Sequence, residues 1–216
     1  MTAPMEPMEA YQHPRFARAY LRGVELADRR GAADHRRRLL AGLSGRVIEV
    51  GAGSGANFPH YPAAVTEVVA VEPDDTLRAH AEREARRAPV PVSVVAGHAE
   101  ELPGGDAAFD AAVTSLVLCS VPSLPAALAE LARVLRPGGE LRFYEHVRSP
   151  RALLGLLEDA VVPLWARAAG GCHPNRDTLA GIRGAGFEVD AVERFAFAPQ
   201  PLIPPLTHVL GRAHRP

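Results

Sequence analysis

Val47-Ile48-Glu49-Val50-Gly51-Ala52-Gly53-Ser54-Gly55-Ala56-Asn57 decides the architecture. Its apolar run breaks at once into three glycines at alternate positions. That is the pattern of a strand feeding a tight turn at the opening of a helix, where backbone can lie close against a ligand. Outward from it, the chain alternates between two periods. Strands are expected over Arg46–Val50, Glu67–Val71, Val92–Ala96, Ala111–Leu118 and Glu140–Glu145. Between them lie a helix over Thr76–Ala88, capped by Asp74 or Asp75, and a helix over Leu124–Leu135. The latter has Ser123 as cap, Pro125 in its first turn and an apolar face of Leu124, Leu128, Leu131 and Leu135. The unbroken apolar runs Val68–Val71 and Val113–Leu118 are those of strands covered on both faces, so the sheet is read as parallel and doubly wound.

The flanks read differently. Tyr11–Leu43 has helical spacing, with Phe16, Tyr20, Val24 and Leu26 on one face, and stops at Gly42 and Gly45. The run Arg36–Arg38 is read as the solvated side of that helix, over buried Leu39 and Leu40. After residue 150 come a helix over Leu153–Ala168, a polar loop, a helix over Asp177–Ala185 and strands over Phe187–Arg194 and Thr207–Ala213. Neither a repeat nor a linker interrupts the chain, so one domain is expected: residues 1–45 a helical cap, 46–146 the ligand-binding core, and 147–216 the acceptor side with its terminal hairpin.

Composition narrows the function. All 24 basic residues are arginine, with no lysine anywhere, against 25 acidic residues. P-loop nucleotide hydrolysis, protein-kinase chemistry and Schiff-base catalysis each need a lysine and are excluded. A net charge of -1 gives no reason to expect nucleic acid as a partner. The polar, Pro-rich Met1–Ala10 reads as no signal peptide, and no apolar stretch reaches the ~20 residues of a membrane span. With two cysteines, Cys119 and Cys172, a reducing cytoplasm is the default location.

The ligand is read as a nucleoside, with a tight turn and a helix-capping acid as the plainer alternative. Glu72, closing Val68-Val69-Ala70-Val71-Glu72-Pro73, can accept both ribose hydroxyls of an adenosine. A dinucleotide site requires G-x-G-x-x-G and a helix N-terminus for pyrophosphate. Here the spacing is G-x-G-x-G, and Pro59 and Pro62 interrupt the segment that follows, so a ligand without phosphates fits better. Glu49-Val50-Gly51-Ala52-Gly53-Ser54-Gly55 resembles the first motif of class I S-adenosylmethionine-dependent methyltransferases. Glu72 matches their ribose acid, and Gly97-His98-Ala99-Glu100-Glu101-Leu102-Pro103 their adenine-bordering segment, with His98 where Asp or Ser is usual. Phe109-Asp110 and Arg133-Val134-Leu135-Arg136-Pro137-Gly138-Gly139 complete a pattern running from about Arg46 to Glu145.

Further stretches, Leu116–Val121, Phe143–Val147 and Gly171–Thr178, resemble a bacterial branch related to animal thiol S-methyltransferases. The resemblance implies a Rossmann-like fold with a seven-stranded, mainly parallel sheet and S-adenosylmethionine as methyl donor. The donor would lie against Glu49, Gly51, Gly53, Gly55, Glu72, His98, Ala99 and Leu116. It implies a small, apolar acceptor with thiol sulfur the favoured atom; quinones, phospholipids or secondary metabolites methylated at N, O or C are the alternative. The animal relatives carry an N-terminal membrane anchor, and none is expected here. The resemblance says nothing of oligomeric state.

Methyl transfer from a sulfonium needs alignment and exclusion of water above all. A thiol needs in addition only a modest push toward thiolate. Ligands of α/β sheets sit beyond the C-terminal strand ends, which turns attention to Cys119, Glu145 and His146 and to Cys172-His173-Pro174-Asn175-Arg176-Asp177. His146 is read as base or thiolate partner, or as a histidine bonding the next loop. Arg176 is read as a fixed positive charge on a lid, or as paired with a surface acid beside Asp177 as helix cap. His173 and Asn175 complete the expected acceptor side. Cys119 is more simply a small buried hydrophobe. No metal site is expected, because the spacing in the polar loop fits no known ligand set. An NAD(P)-dependent oxidoreductase and a SAM-binding protein without catalysis are the other two readings.

Overall fold

The structure, a computed structural model, describes residues 8–201 and 203–216. The N-terminal stretch read as leader-free therefore lies mostly outside the described residues. Strands β1 (Gly45–Val50), β2 (Val65–Val71), β3 (Val92–Val95), β4 (Phe109–Ser115), β5 (Leu135–His146), β6 (Glu188–Phe197) and β7 (Leu206–His214) form one sheet in the order β3-β2-β1-β4-β5-β7-β6. β1 to β5 pair parallel, and β7 inserts antiparallel between β5 and β6. The order reverses between β1 and β4, which places the ligand crevice of such a sheet beyond their C-terminal ends. This is the seven-stranded, mainly parallel, doubly wound sheet expected of the sequence.

Alternation along the strands builds a core on each face. From β1, Ile48 and Val50 join Leu128 and Leu131 of α4 (Leu124–Val134) and Ile182 of α6 (Thr178–Gly184). Val47 turns the other way, to Leu39 and Leu40 of α2 (Ala33–Leu40) and Ala81 of α3 (Asp75–Ala85). Each fully buried Leu, Val or Ile contributes about 1.5–3 kcal/mol, and both faces are needed to hold β1 at the centre. Asp74, rather than Asp75, caps α3, its Oδ1 accepting from the Thr76 and Leu77 amides at 2.9 and 3.0 Å. Ser123 caps α4 as expected.

Four expectations are corrected. The helix expected over Tyr11–Leu43 is split into α1 (Pro14–Ala27) and α2 by a kink at Gly31, whose φ of 127° no helix admits. The glycine loop opens no α-helix: Pro59 and Pro62 leave only a 3-10 turn over Phe58–His60. Arg36 is not on the solvated side of α2. It is buried, with Nε 3.5 Å from Asp28 Oδ1, while Arg37 and Arg38 face solvent. β4 also stops at Ser115, short of the expected Leu118, because Leu116 takes φ 62°. After residue 150, α5 (Ala152–Ala168) matches its expected span. Among the described residues no helix is long and apolar enough to cross a membrane.

Candidate active site

A cavity of about 880 Å³ occupies the crevice between β1 and β4 and extends under α1, α5 and the loop after α5. The glycine loop forms one wall. Gly51 has φ 66°, and a Cβ there would come 2.4 Å from Val117 Cγ2, so only glycine fits. Gly53 has φ 57°, and Tyr20 of α1 stands over it, its Oη 3.4 Å from where a Cβ would be. Gly55 lies off the cavity, tight against Phe58.

Glu72, at the end of β2, is buried on the cavity wall. Its Oε2 accepts the Gly53 amide at 2.7 Å and its Oε1 the Asp74 amide at 2.9 Å. A carboxylate has about four acceptor positions, so each oxygen keeps one for a ligand hydroxyl. Burial pushes Glu72 up to about 7, against the lowering effect of those two amides. Glu49 sits one strand over, its oxygens held by Asn57 Nδ2 at 2.9 Å and the Tyr61 hydroxyl at 2.7 Å. Burial raises it, too, to about 7.

Across the cavity, His98 and Ala99 are buried on the wall after β3. The Tyr11 ring stacks on His98 with centroids 4.9 Å apart and planes 8° from parallel, and its hydroxyl donates to Glu100 at 3.1 Å. Neighbouring residues fasten this N-terminal strap: Gln12 donates to the Pro73 carbonyl at 2.8 Å, and the His13 amide to Asp74 at 2.9 Å. Leu116 lines the wall in its left-handed conformation, rare for a bulky residue, with its amide on the Tyr144 carbonyl at 2.7 Å. Nothing in the sequence marked Tyr11, Gln12 or Tyr61 for the site, since each acts through a partner distant in the chain.

The far end is built by the β4 and β5 termini and the loop after α5. His146 Nδ1 lies 3.5 Å from Cys119 Sγ and 3.3 Å from Cys172 Sγ, and the sulfurs are 3.7 Å apart. The two cysteines are free thiols. The hydrogen bond with Cys172, and then burial, push the Cys119 thiol up, while contact with Cys119 and His146 holds Cys172 down. His146 and Cys172 line the cavity, whereas Cys119 and Glu145 lie behind its wall. Glu145 is fully buried and raised by burial; its oxygens accept the Val117 and Cys119 amides, each at 3.2 Å, fixing the turn after β4. Around this end stand the aromatic rings of Phe16, Trp165 and Phe197 and the His208 ring, whose centroid is 4.5 Å from that of His146. Burial lowers His208 to about 3, so it is neutral and serves as an apolar wall.

The polar loop combines parts of both sequence readings, with Asp177 as helix cap and Arg176 on the cavity wall. Among the described residues Arg176 pairs with no surface acid: Nη1 donates to the Leu118 and Val121 carbonyls at 2.7 and 2.8 Å, bracing the turn that carries Cys119. It also lines the cavity. His173 lines it with Nδ1 on the Gly171 carbonyl at 2.6 Å, and its amide holds the Cys119 carbonyl at 2.8 Å. Asn175 turns away to Asp159 at 2.9 Å, on the exposed side. Asp177 caps α6 through the Ala180 amide at 3.0 Å.

The donor half fits S-adenosylmethionine. A cradle that a Cβ would fill and a strand-end carboxylate with acceptor positions left over together suit a nucleoside.

The methyltransferase domain family matches residues 48–143. Thiol S-methyltransferase TMT1B of Rattus norvegicus is 35% identical over 182 residues, covering 81% of this chain and 73% of that protein. Among solved structures, a SAM-dependent methyltransferase of Thermotoga maritima, described as a possible histamine N-methyltransferase, superposes with a TM-score of 0.69 at 24% identity, over 94% of this chain and 97% of its own. A geranyl diphosphate methyltransferase solved in complex with SAM gives 0.69 at 17% identity, over 86% and 85% of the two chains.

Proposed function

The chain belongs to the S-adenosylmethionine-dependent methyltransferases, and from that premise we propose that it methylates the sulfur of a small apolar thiol in the cytoplasm, acting as one domain. The observation that carries this reading is the continuity of the cavity from Glu72 and the glycine loop to an aromatic-walled end whose polar groups include His146, Cys172, His173 and Arg176. Such an end suits an acceptor that enters as a neutral, lipophilic molecule and becomes nucleophilic by losing one proton. The likeness to a thiol S-methyltransferase over most of the chain supports sulfur as the atom.

S-adenosylmethionine, when bound, supplies a methyl carbon on a sulfonium whose leaving group departs as a neutral thioether. The chain's own residues hold and enclose. Glu72 would accept the ribose hydroxyls, His98, Ala99 and Leu116 would border the adenine, and Gly51 and Gly53 would let the backbone close on the ligand. Tyr20 and the Tyr11 strap keep water out, which favours alignment over solvolysis. We assign His146 to activation of the acceptor at the far end. Arg176 is a positioning residue that keeps the Cys119 turn in place.

The test is transfer of labelled methyl from S-adenosylmethionine to a simple alkyl thiol, an alkyl amine and a phenol of matched size. Thioether formation from the thiol alone, or at least tenfold faster than the other products, is the expected result. Turnover of the amine or phenol with none of the thiol overturns the sulfur assignment.

A further inference from the structure

Cys119, His146 and Cys172 come together from three separate segments, the turn after β4, the end of β5 and the loop after α5. Their ligand atoms form a triangle with edges of 3.7, 3.5 and 3.3 Å. A tetrahedral zinc ion with bonds of about 2.3 Å to sulfur and about 2.0–2.1 Å to nitrogen requires edges of about 3.8 Å between sulfurs and about 3.5 Å from sulfur to nitrogen. The match holds on all three edges. Hydrogen bonding of a thiol pair would need only the sulfurs to meet; it gives no reason for one imidazole nitrogen to stand at near-equal distance from both.

We propose that Cys119, His146 and Cys172 form a soft-metal site of the zinc class, whose fourth position opens into the cavity and takes the acceptor thiol as its thiolate. The inference rests on the thiol reading above and says how the thiolate is made. As the acceptor binds, its S–H bond breaks, the proton passes to water, and the sulfur lone pair goes to the metal. Two cysteine thiolates and a neutral imidazole balance a divalent ion. The acceptor thiolate adds one negative charge, and the Arg176 guanidinium, anchored to the carbonyl next to Cys119, offsets it. Three protein ligands with an open position form the pattern of a working rather than a structural zinc site. His146 is fixed by its strand, β5, and by the His208 ring packed against it.

The experiment uses the full chain, stripped by chelator under reducing conditions and titrated with cobalt(II) as probe, followed by zinc. Expected are one cobalt per chain, intense tetrahedral visible bands with a thiolate-to-metal band in the near ultraviolet, and bleaching by one equivalent of zinc. An alkyl thiol should shift the thiolate band, and Cys172→Ser and Cys119→Ser should each weaken metal binding at least about tenfold. Because a serine variant can lose its fold, each is checked by S-adenosylmethionine binding at the other end of the cavity, and the wild-type spectrum stands independently of both. Absence of stoichiometric metal, a pale octahedral spectrum, indifference of the spectrum to alkyl thiol, or closure of the two cysteines into a disulfide in place of metal uptake overturns the proposal. Undiminished thiol methylation by the metal-free chain refutes the site while leaving the acceptor reading intact. A thiol-sensitive metal site in a chain that methylates no thiol supports the site and refutes the acceptor reading.

Discussion

Replacing Glu72 tests the donor half of the site most directly. Its carboxylate already holds the Gly53 and Asp74 amides and keeps one acceptor position on each oxygen. Two ribose hydroxyls donating there contribute about 1–1.5 kcal/mol each, so Glu72→Ala should weaken S-adenosylmethionine binding by about 2–3 kcal/mol, on the order of thirty- to hundredfold. The same carboxyl titrates near neutrality, because burial raises it to about 7. Its ionised form is the better acceptor, so wild-type affinity should fall roughly tenfold between about pH 8 and about pH 6, where only about a tenth of it remains charged. Glu72→Gln should flatten that profile. Isothermal titration calorimetry with donor at both pH values reads both effects. Loss of the two amide bonds also loosens the glycine loop, so melting temperatures are recorded alongside, and the comparison is made at temperatures where each variant stays folded. Affinity within twofold of wild type, or an unaltered pH slope in Glu72→Gln, would refute the assignment of the ribose to Glu72.

Two other residues carry predictions. Glu49 is raised to about 7 by burial, so the folded chain keeps a proton there that the unfolded chain releases near 4.5. Its contribution is therefore full below about pH 4.5 and is lost as pH rises through about 7, a loss of about 3 kcal/mol for that one group. Glu49→Gln, which can still accept from Asn57 and donate to Tyr61, should remove this part of the decline in urea unfolding free energy between about pH 5 and about pH 8; an unchanged decline sinks the claim. Arg176→Ala removes both hydrogen bonds that brace the Cys119 turn. It should raise the acceptor KM and lower stability by about 2–3 kcal/mol while leaving S-adenosylmethionine affinity within twofold, and a loss confined to donor binding contradicts it.

The parallel core was legible because its signals are local. Apolar runs such as Val68–Val71 and glycines at alternate positions are properties of neighbouring residues, and they fixed β1 to β5 to within a few positions, apart from the early β5 start at Leu135. Misreadings occurred where local and distant forces compete. Gly31 sits inside a helical pattern, but its kink lets α2 turn its leucines onto the sheet. Arg36 shares a polar run with Arg37 and Arg38 and is nevertheless drawn inward to Asp28. Leu116 belongs to an apolar run that reads as strand, yet the Glu145 carboxylate gathers the amides of the residues after it into a turn. At the acceptor end, each cysteine alone looks like a small buried hydrophobe. They meet across 53 residues only because the loop after α5 folds onto the β4 turn, through the His173 amide and Arg176.

The three strand-end acids explain why this crevice suits a cationic ligand. Glu49, Glu72 and Glu145 close β1, β2 and β5, all are buried, and all are raised by that burial. Among the described residues none of the three forms an ion pair with a guanidinium; their hydrogen-bond partners include amides, an asparagine and a tyrosine hydroxyl. Burial favours the protonated carboxyl, and a bound sulfonium works against it: in a medium that screens poorly the cation favours the ionised carboxylate, which its dipolar partners hold in place without cancelling its charge. A phosphate-bearing ligand would meet repulsion there, while a sulfonium meets attraction. The lysine-free composition leaves the cavity wall to Arg36 and Arg176 for fixed positive charge, one drawn to Asp28 and the other braced on carbonyls at the acceptor end. Binding thus draws the cation toward Glu72 and leaves the far end to stabilise an anion. That division of charge along one cavity is what transfer from a sulfonium to a thiolate requires.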